Sequence, residues 1–162
     1  AIQIIRAFEQ EQLNIVLVEQ PVKAKEKQEL KLIRQQSQTP IFADEACFSP
    51  ADVLDIAKHN LADGINIKLM KSGGIANAQA MLQIAKAANL KIMIGCMLES
   101  PIGVNAAASL AVSQGISLVD LDPIVLIREN SVMGGAQFIN NQIVLSDKPG
   151  LGITELRSHV FI

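Results

Sequence analysis

Aromatic residues are scarce: the 162-residue chain has no Trp, no Tyr and five Phe. Stacking platforms for single-stranded nucleic acid are therefore lacking. An excess of one charge is lacking too. Fourteen basic and sixteen acidic residues give a formal net charge of −2, with no basic footprint for a phosphate backbone. Two cysteines, Cys47 and Cys96, are too few for a disulfide framework. Two histidines, His59 and His159, argue against a histidine-built zinc site. No apolar run approaches the roughly 18 residues that suggest a membrane span. The first residues do not carry the charged, apolar and small-residue regions of a secretory signal in order. A phosphate-binding glycine loop is also missing. The nearest run, Lys71-Ser72-Gly73-Gly74, has neither the dinucleotide nor the P-loop spacing.

What is present is apolar. Hydrophobic residues make up 49% of the chain, which excludes disorder and suits one domain with a real core. Candidate strands fall at Asn14–Glu19, Pro40–Asp44, Ile65–Leu69, Lys91–Cys96 and Ser117–Leu121. Their apolar starts, at residues 15, 41, 65, 92 and 117, are 26, 24, 27 and 25 residues apart. Helical patterns lie between them at Lys25–Gln36, Ser49–His59, Ile75–Ala88 and Pro101–Val112. Ser49 followed by Pro50 is a helix start. Strands alternating with helices of this length predict βαβ units and a parallel α/β sheet buried on both faces.

Two architectures accommodate five such units. One is a doubly wound domain, complete at five strands. The other is the C-terminal part of a (β/α) barrel, whose units have this length. Ala1–Leu13 reads as an amphipathic helix, and residue 1 is Ala rather than Met. The expectation is a segment of a longer protein, with residues 1–123 forming a partial barrel and 124–162 a tail that returns to another domain. In that tail Ile124–Ile127 is apolar, Gly134-Gly135 is a turn, and Phe138–Leu145 predicts a hairpin around Asn140-Asn141. Asp147–Gly152 is turn material.

Polar residues gather at the C-terminal ends of the predicted strands. Glu19 ends the first, and Asp44 and Glu45 end the second. Lys68 lies in the third with Lys71 just beyond, Glu99 follows the fourth, and Asp120 and Asp122 flank the end of the fifth. Ligands of α/β folds bind at those ends. Converging carboxylates without His or Cys favour a hard, oxygen-preferring ion such as Mg²⁺. Such an ion can hold a substrate carboxylate and stabilise an enediolate. A Lys in the same space is a candidate base once its pKa is lowered from about 10.4 by burial or a neighbouring cation. The combined chemistry is proton abstraction alpha to a carboxylate.

Structural explanations compete with each assignment. A carboxylate after a strand is often a helix cap or a solvated loop residue. Lys68, flanked by Ile67 and Leu69, is harder to explain that way. Glu45 can serve as a hydrogen-bonding residue within the barrel, and Lys71 as a surface charge. Cys47 and Cys96 read as small packing residues, and His59 and His159 as bystanders.

The runs VEQP at 18–21, FADE at 42–45, NIKLMKSGG at 66–74, IGCMLESPIG at 94–103 and DLD at 120–122 resemble the enolase superfamily. Within it the likeness is to the muconate-lactonizing (mandelate racemase/muconate lactonizing enzyme) subgroup, and there to the dipeptide epimerases. The tail INNQIVLSDKPGLGI at 139–153 is similar as well. Alone VEQP is weak, but the ordered set at βα spacing is specific and spans nearly the whole chain. The resemblance implies a modified (β/α)7β TIM-type barrel under an α+β capping domain, with these strands as barrel strands four to eight. It implies Glu19 and Asp44 as Mg²⁺ ligands, one ion per site, with Mn²⁺ as the alternative ion. It implies Lys68 as general acid/base, and Asp120 and Asp122 as the pair that binds a dipeptide's α-ammonium group. Cys96, Met97, Leu98 and Glu99 would lie at the substrate, where backbone donors meet a carboxylate.

The implied reaction is epimerisation of an L-Ala-D/L-Glu-like dipeptide. Alternatives within the subgroup are muconate or chloromuconate cycloisomerisation, o-succinylbenzoate synthesis and N-acylamino acid racemisation. Their substrates lack a free α-ammonium group and match a double Asp poorly. Outside enzymes, the alternative is a small α/β structural or interaction module. The family's opposing Lys-x-Lys motif and its first metal-binding Asp have no counterpart in this sequence. The segment is therefore expected to be catalytically incomplete alone and to need the capping domain and first barrel strands. Other expected partners are a small carboxylate or dipeptide substrate and a second copy of the enzyme, but neither nucleic acid nor membrane. Family likeness implies a cytoplasmic location.

Overall fold

The structure, a computed structural model, describes residues 1–122 and 126–157. The expected apolar run at 124–127 falls in part outside the described residues. His159 and the expected boundary between residues 123 and 124 also lie outside them. The chain packs as two compact units. The first comprises Ala1–Ile67 and Lys71–Met93, and the second comprises Lys68–Met70 and the described residues from Ile94 onward.

The element order follows the predicted alternation. Helix α1 (Ile2–Gln10) leads to β1 (Val18–Glu19), α2 (Lys27–Gln36), β2 (Ile41–Ala43), α3 (Pro50–His59) and β3 (Gly64–Lys68). The one-turn helix α4 (Leu69–Ser72), α5 (Ile75–Ala87), β4 (Lys91–Gly95), α6 (Pro101–Ser113) and β5 (Val119–Asp120) follow. The strand order is β1-β2-β3-β4-β5, and β1·β2, β2·β3 and β4·β5 run parallel.

The first strand is shorter than its apolar run predicts. Only Val18 and Glu19 pair, with Ile41 and Phe42. Ladder bonding begins where Val18 donates to the Pro40 carbonyl, at 2.9 Å. Pro40 has no N–H to extend the ladder downward. Asn14 adopts the left-handed conformation (φ 52°), and Ile15 and Val16 are left exposed.

In the first unit the core is built from Leu30 and Ile33 of α2, Val53 and Ile56 of α3, and Met81 and Leu82 of α5. They are buried together with Ile41, Phe42, Ile65 and Ile67 of the strands. Each such side chain contributes about 1.5–3 kcal/mol on burial. Helix α3 starts as the sequence predicts. The Ser49 hydroxyl accepts from the Asp52 N–H, and the Asp52 carboxylate accepts from the Ser49 N–H. Such a capping box is worth about 1 kcal/mol. Gly64 opens β3 for a steric reason. A Cβ there would lie 2.5 Å from the Phe42 ring and 2.8 Å from the Lys91 carbonyl oxygen. Asp63 ties the strand starts together, because its carboxylate accepts from Arg34 Nε at 2.8 Å and from the Ile41 N–H at 2.9 Å.

In the second unit Ile94, Val104, Leu110, Leu121 and Val132 are buried. The expected hairpin is present as β7 (Gln137–Ile139) and β8 (Gln142–Val144). Asn140 and Asn141 form its two-residue loop with φ of 49° and 61°, the pair of left-handed residues that a type I′ turn requires. A second antiparallel pair, β6 (Val132–Gly134) with β9 (Ile153–Leu156), has no local sequence signal. Buried Asn105 of α6 anchors this region. Its Nδ2 donates to the Pro101 carbonyl at 2.6 Å, and its Oδ1 accepts from the Ala136 N–H. Among the described residues no helix is long and apolar enough to cross a membrane.

Candidate active site

In the first unit the polar side chains of Glu19 and Asp44 stand at or just past the C-terminal ends of the neighbouring strands β1 and β2, and Asn66 lies within β3. The pleat alternates side chains between faces. Glu19 is in register with Phe42 and Phe42 with Gly64, so Glu19, Phe42, Gly64 and Asn66 share a face. Asp44 lies two residues past Phe42. Glu19 Oε1 accepts a hydrogen bond from Asn66 Nδ2 at 2.6 Å. Asn66 is fully buried. The alternation within β3 also puts Lys68 on the face of Gly64 and Asn66.

Asp44 is 5% exposed and heavily braced. Lys71 Nζ donates to its Oδ1 and, at 2.8 Å, to its backbone carbonyl. The ammonium lies 5.2 Å from the centroid of the Phe48 ring, within cation–π range. Only 6% of the Lys71 side chain is exposed, so Lys71 is a buried partner of Asp44 and not a surface charge. Gln20, in the left-handed region (φ 38°), holds the same turn. Its Oε1 accepts from the Asp44 and Ala46 N–H groups at 2.9 and 3.1 Å, and its Nε2 donates to the Val22 carbonyl at 3.0 Å. Cys47 is fully buried. Burial pushes its thiol up to about 12, with the Lys71 ammonium opposing. Glu45 is exposed.

In the second unit the loop after β4 carries the other expected residues. Cys96 Sγ donates to the Asp120 carbonyl at 3.2 Å, and the Met97 N–H donates to Glu99 Oε1 at 3.1 Å. Met97 and Leu98 are exposed, as are Asp120 and Asp122. The Cys96 thiol is pushed up to about 12, first by burial, then by the charges of Glu99, Asp120 and Asp122, with Lys68 opposing. His59 contacts Asp55 on its own helix, Nδ1 to Oδ1 at 2.8 Å.

Sequence reasoning passed over Asn66 and Gln20. Asn66 carried the same signal as Lys68, a polar residue flanked by Ile65 and Ile67 in an apolar strand. Gln20 carried none, because its work is to bind a segment 24 residues away.

Among the described residues no three His, Cys, Asp or Glu side chains converge as a metal-binding group. Glu19 at the end of β1 and Asp44 just after the adjacent β2 nonetheless offer two hard carboxylates. Oδ1 of buried Asn66, whose amide nitrogen bonds Glu19, has no hydrogen-bond partner among the described residues. Mg²⁺ is commonly held through one or two carboxylates and keeps several waters, so the donor set fits such an ion.

A parallel sheet with acids and a lysine at its strand ends defines a class of α/β proteins that work at one end of a barrel-type sheet. The chain belongs to the Enolase C-terminal domain-like family, whose model matches residues 1–157. Its five βα units are the C-terminal part of that family's TIM-type barrel. It is 45% identical to the L-Ala-D/L-Glu epimerase of Clostridium acetobutylicum over 94% of this chain and 43% of that protein. Among solved structures it resembles the substrate-liganded L-Ala-D/L-Glu epimerase of Bacillus subtilis (TM-score 0.92, 37% identity, 96% of this chain, 44% of that one). It also resembles the dipeptide epimerase of Enterococcus faecalis complexed with Mg and L-Leu-L-Tyr (TM-score 0.89, 40% identity, 95% of this chain, 44% of that one). The chain spans less than half the length of these relatives.

Proposed function

We propose that this chain serves a dipeptide epimerase, a metal-dependent isomerase acting on a substrate of the L-Ala-D/L-Glu kind. What supports the reading is similarity to such enzymes over nearly the whole chain, with Glu19 at the end of β1 and Asp44 just after its parallel neighbour β2 in the first unit. Glu19 and Asp44 would hold Mg²⁺, which when bound would supply positive charge beside the substrate carboxylate as the α-proton leaves.

Lys68 acts on one face of the α-carbon. Its uncharged Nζ takes the proton as the C–H bond breaks, and its ammonium form returns a proton in the reverse direction. Asp120 and Asp122 attract the dipeptide's free ammonium group by charge, and their exposure leaves them accessible to it. The Cys96–Glu99 loop borders the substrate. Its Met97 N–H is already engaged by Glu99, so Glu99 shapes the loop. The same reading includes a capping domain and the opposing base of the family pattern. It places the protein in the cytoplasm, consistent with two unpaired cysteines.

The test is exchange of the substrate α-proton in D₂O, followed by NMR on the full-length protein with Mg²⁺ and a panel of L,L and L,D dipeptides. Metal-dependent exchange on dipeptides, lost in Lys68→Ala, is the expected result. Exchange on N-acylamino acids alone would reject the dipeptide assignment. Undiminished exchange in Lys68→Ala would reject the base.

A further inference from the structure

Asn66 is an amide in the middle of an apolar strand, fully buried. Ile65 and Ile67, on the other face, are fully buried too. A polar side chain in such a place is retained at a cost unless its hydrogen bonds are made. One is made: Nδ2 donates to Glu19 Oε1 at 2.6 Å across 47 residues of sequence, a charge-assisted bond. That bond fixes the amide's orientation, because the flipped amide would set Oδ1 against a carboxylate oxygen. Oδ1 is thereby committed as an acceptor, and among the described residues no donor reaches it. A buried acceptor without a protein donor calls for one from outside the chain, a water or an ion's hydration shell, and this acceptor's own amide is bonded to a carboxylate.

We propose that Asn66 is a positioning residue of the metal site. Its NH₂ group holds the Glu19 carboxylate in place, and its Oδ1 accepts from the hydration shell that a hard cation keeps. The inference rests on the reading of Glu19 as a metal ligand. Residues that orient ligating carboxylates in this way typically change metal affinity 10–100-fold when removed.

The experiment measures Mg²⁺ affinity by titration calorimetry on the full-length protein without substrate, in wild type, Asn66→Leu, Glu19→Gln and the double variant. Melting curves check that each is folded, and Asn66→Ala replaces Asn66→Leu if the larger side chain does not pack. The expected result is a Kd raised about 10–100-fold by Asn66→Leu. In the Glu19→Gln background the further loss should be smaller by at least about fivefold, because the two residues act as a unit. A folded Asn66 variant that binds Mg²⁺ within about twofold of wild type overturns the inference alone, as does an equal loss in both backgrounds. A wild-type protein that binds no Mg²⁺, or a Glu19→Gln variant that binds it unchanged, overturns the metal reading and the inference with it.

Discussion

Lys71 and Asp44 are both more than nine-tenths buried at their side chains, with opposite charges in contact. Removing one partner of such a pair leaves the other buried with less compensation, which is strongly destabilising. Lys71→Met should therefore lower the free energy of unfolding by on the order of 3 kcal/mol at neutral pH. Urea denaturation checks this, and a loss under about 1 kcal/mol would show that the ion pair holds little. The lysine was visible in the sequence just beyond a strand, but its burial was not. Burial depends on Phe48 and on the turn after β2, which approach from 23 to 27 residues away. Lys68 differs, since a lysine between two buried apolar residues announces itself from its immediate neighbours.

At the scale of elements, α2 and α3 are joined by Lys27 and Asp55 at 2.6 Å, each side chain about a third exposed. The Asp55 carboxyl is held below its ordinary value of 3.8, chiefly by the hydrogen bond from Lys27. Lys27 is held above 10.5, chiefly by the same bond. A depressed acid contributes stability above its ordinary pKa and loses it as pH falls through the folded value. A raised ammonium contributes below its ordinary pKa and loses it as pH rises through the folded value. The pair should thus contribute a flat increment between these limits, held to less than about 1 kcal/mol by solvent. Melting of Asp55→Asn and wild type across pH should show a small gap at neutral pH that closes at the acid end. A gap that widens in acid would contradict the assignment. The helices α2, α3, α5 and α6 were legible within a residue or two, because Ser49-Pro50, Pro101 and the 3.6-residue apolar spacing are local, whereas α1 ends three residues before its apolar pattern and the one-turn α4 left no signal. The extent of β1 and the β6·β9 pair were not, since a strand exists only where a partner offers a ladder.

For the whole molecule, the proposed reading couples metal binding to stability. A ligand bound only by the folded state raises the unfolding free energy by about 2.7 kcal/mol at a hundred times its Kd. Mg²⁺ at saturating concentration should raise the melting temperature of the full-length protein, and Glu19→Gln and Asp44→Asn should each abolish most of the rise. An undiminished rise in both variants would place the ion elsewhere.

The alternation of strand and helix, the parallel sheet, the hairpin at Asn140-Asn141 and the position of acids and a lysine near strand ends are all legible along the chain. These follow from periodicity, caps and turn residues, which act over a few neighbouring positions. Four contacts emerge only in the folded chain: Asn66 holds Glu19, Gln20 and Lys71 brace Asp44, and Glu99 binds the Met97 N–H in its loop. The first three contacts join residues 24 to 47 positions apart, and the fourth turns on a loop conformation that no periodicity encodes. A hydrogen bond between distant segments acts only after the chain has brought them together, so it leaves no periodic trace to read.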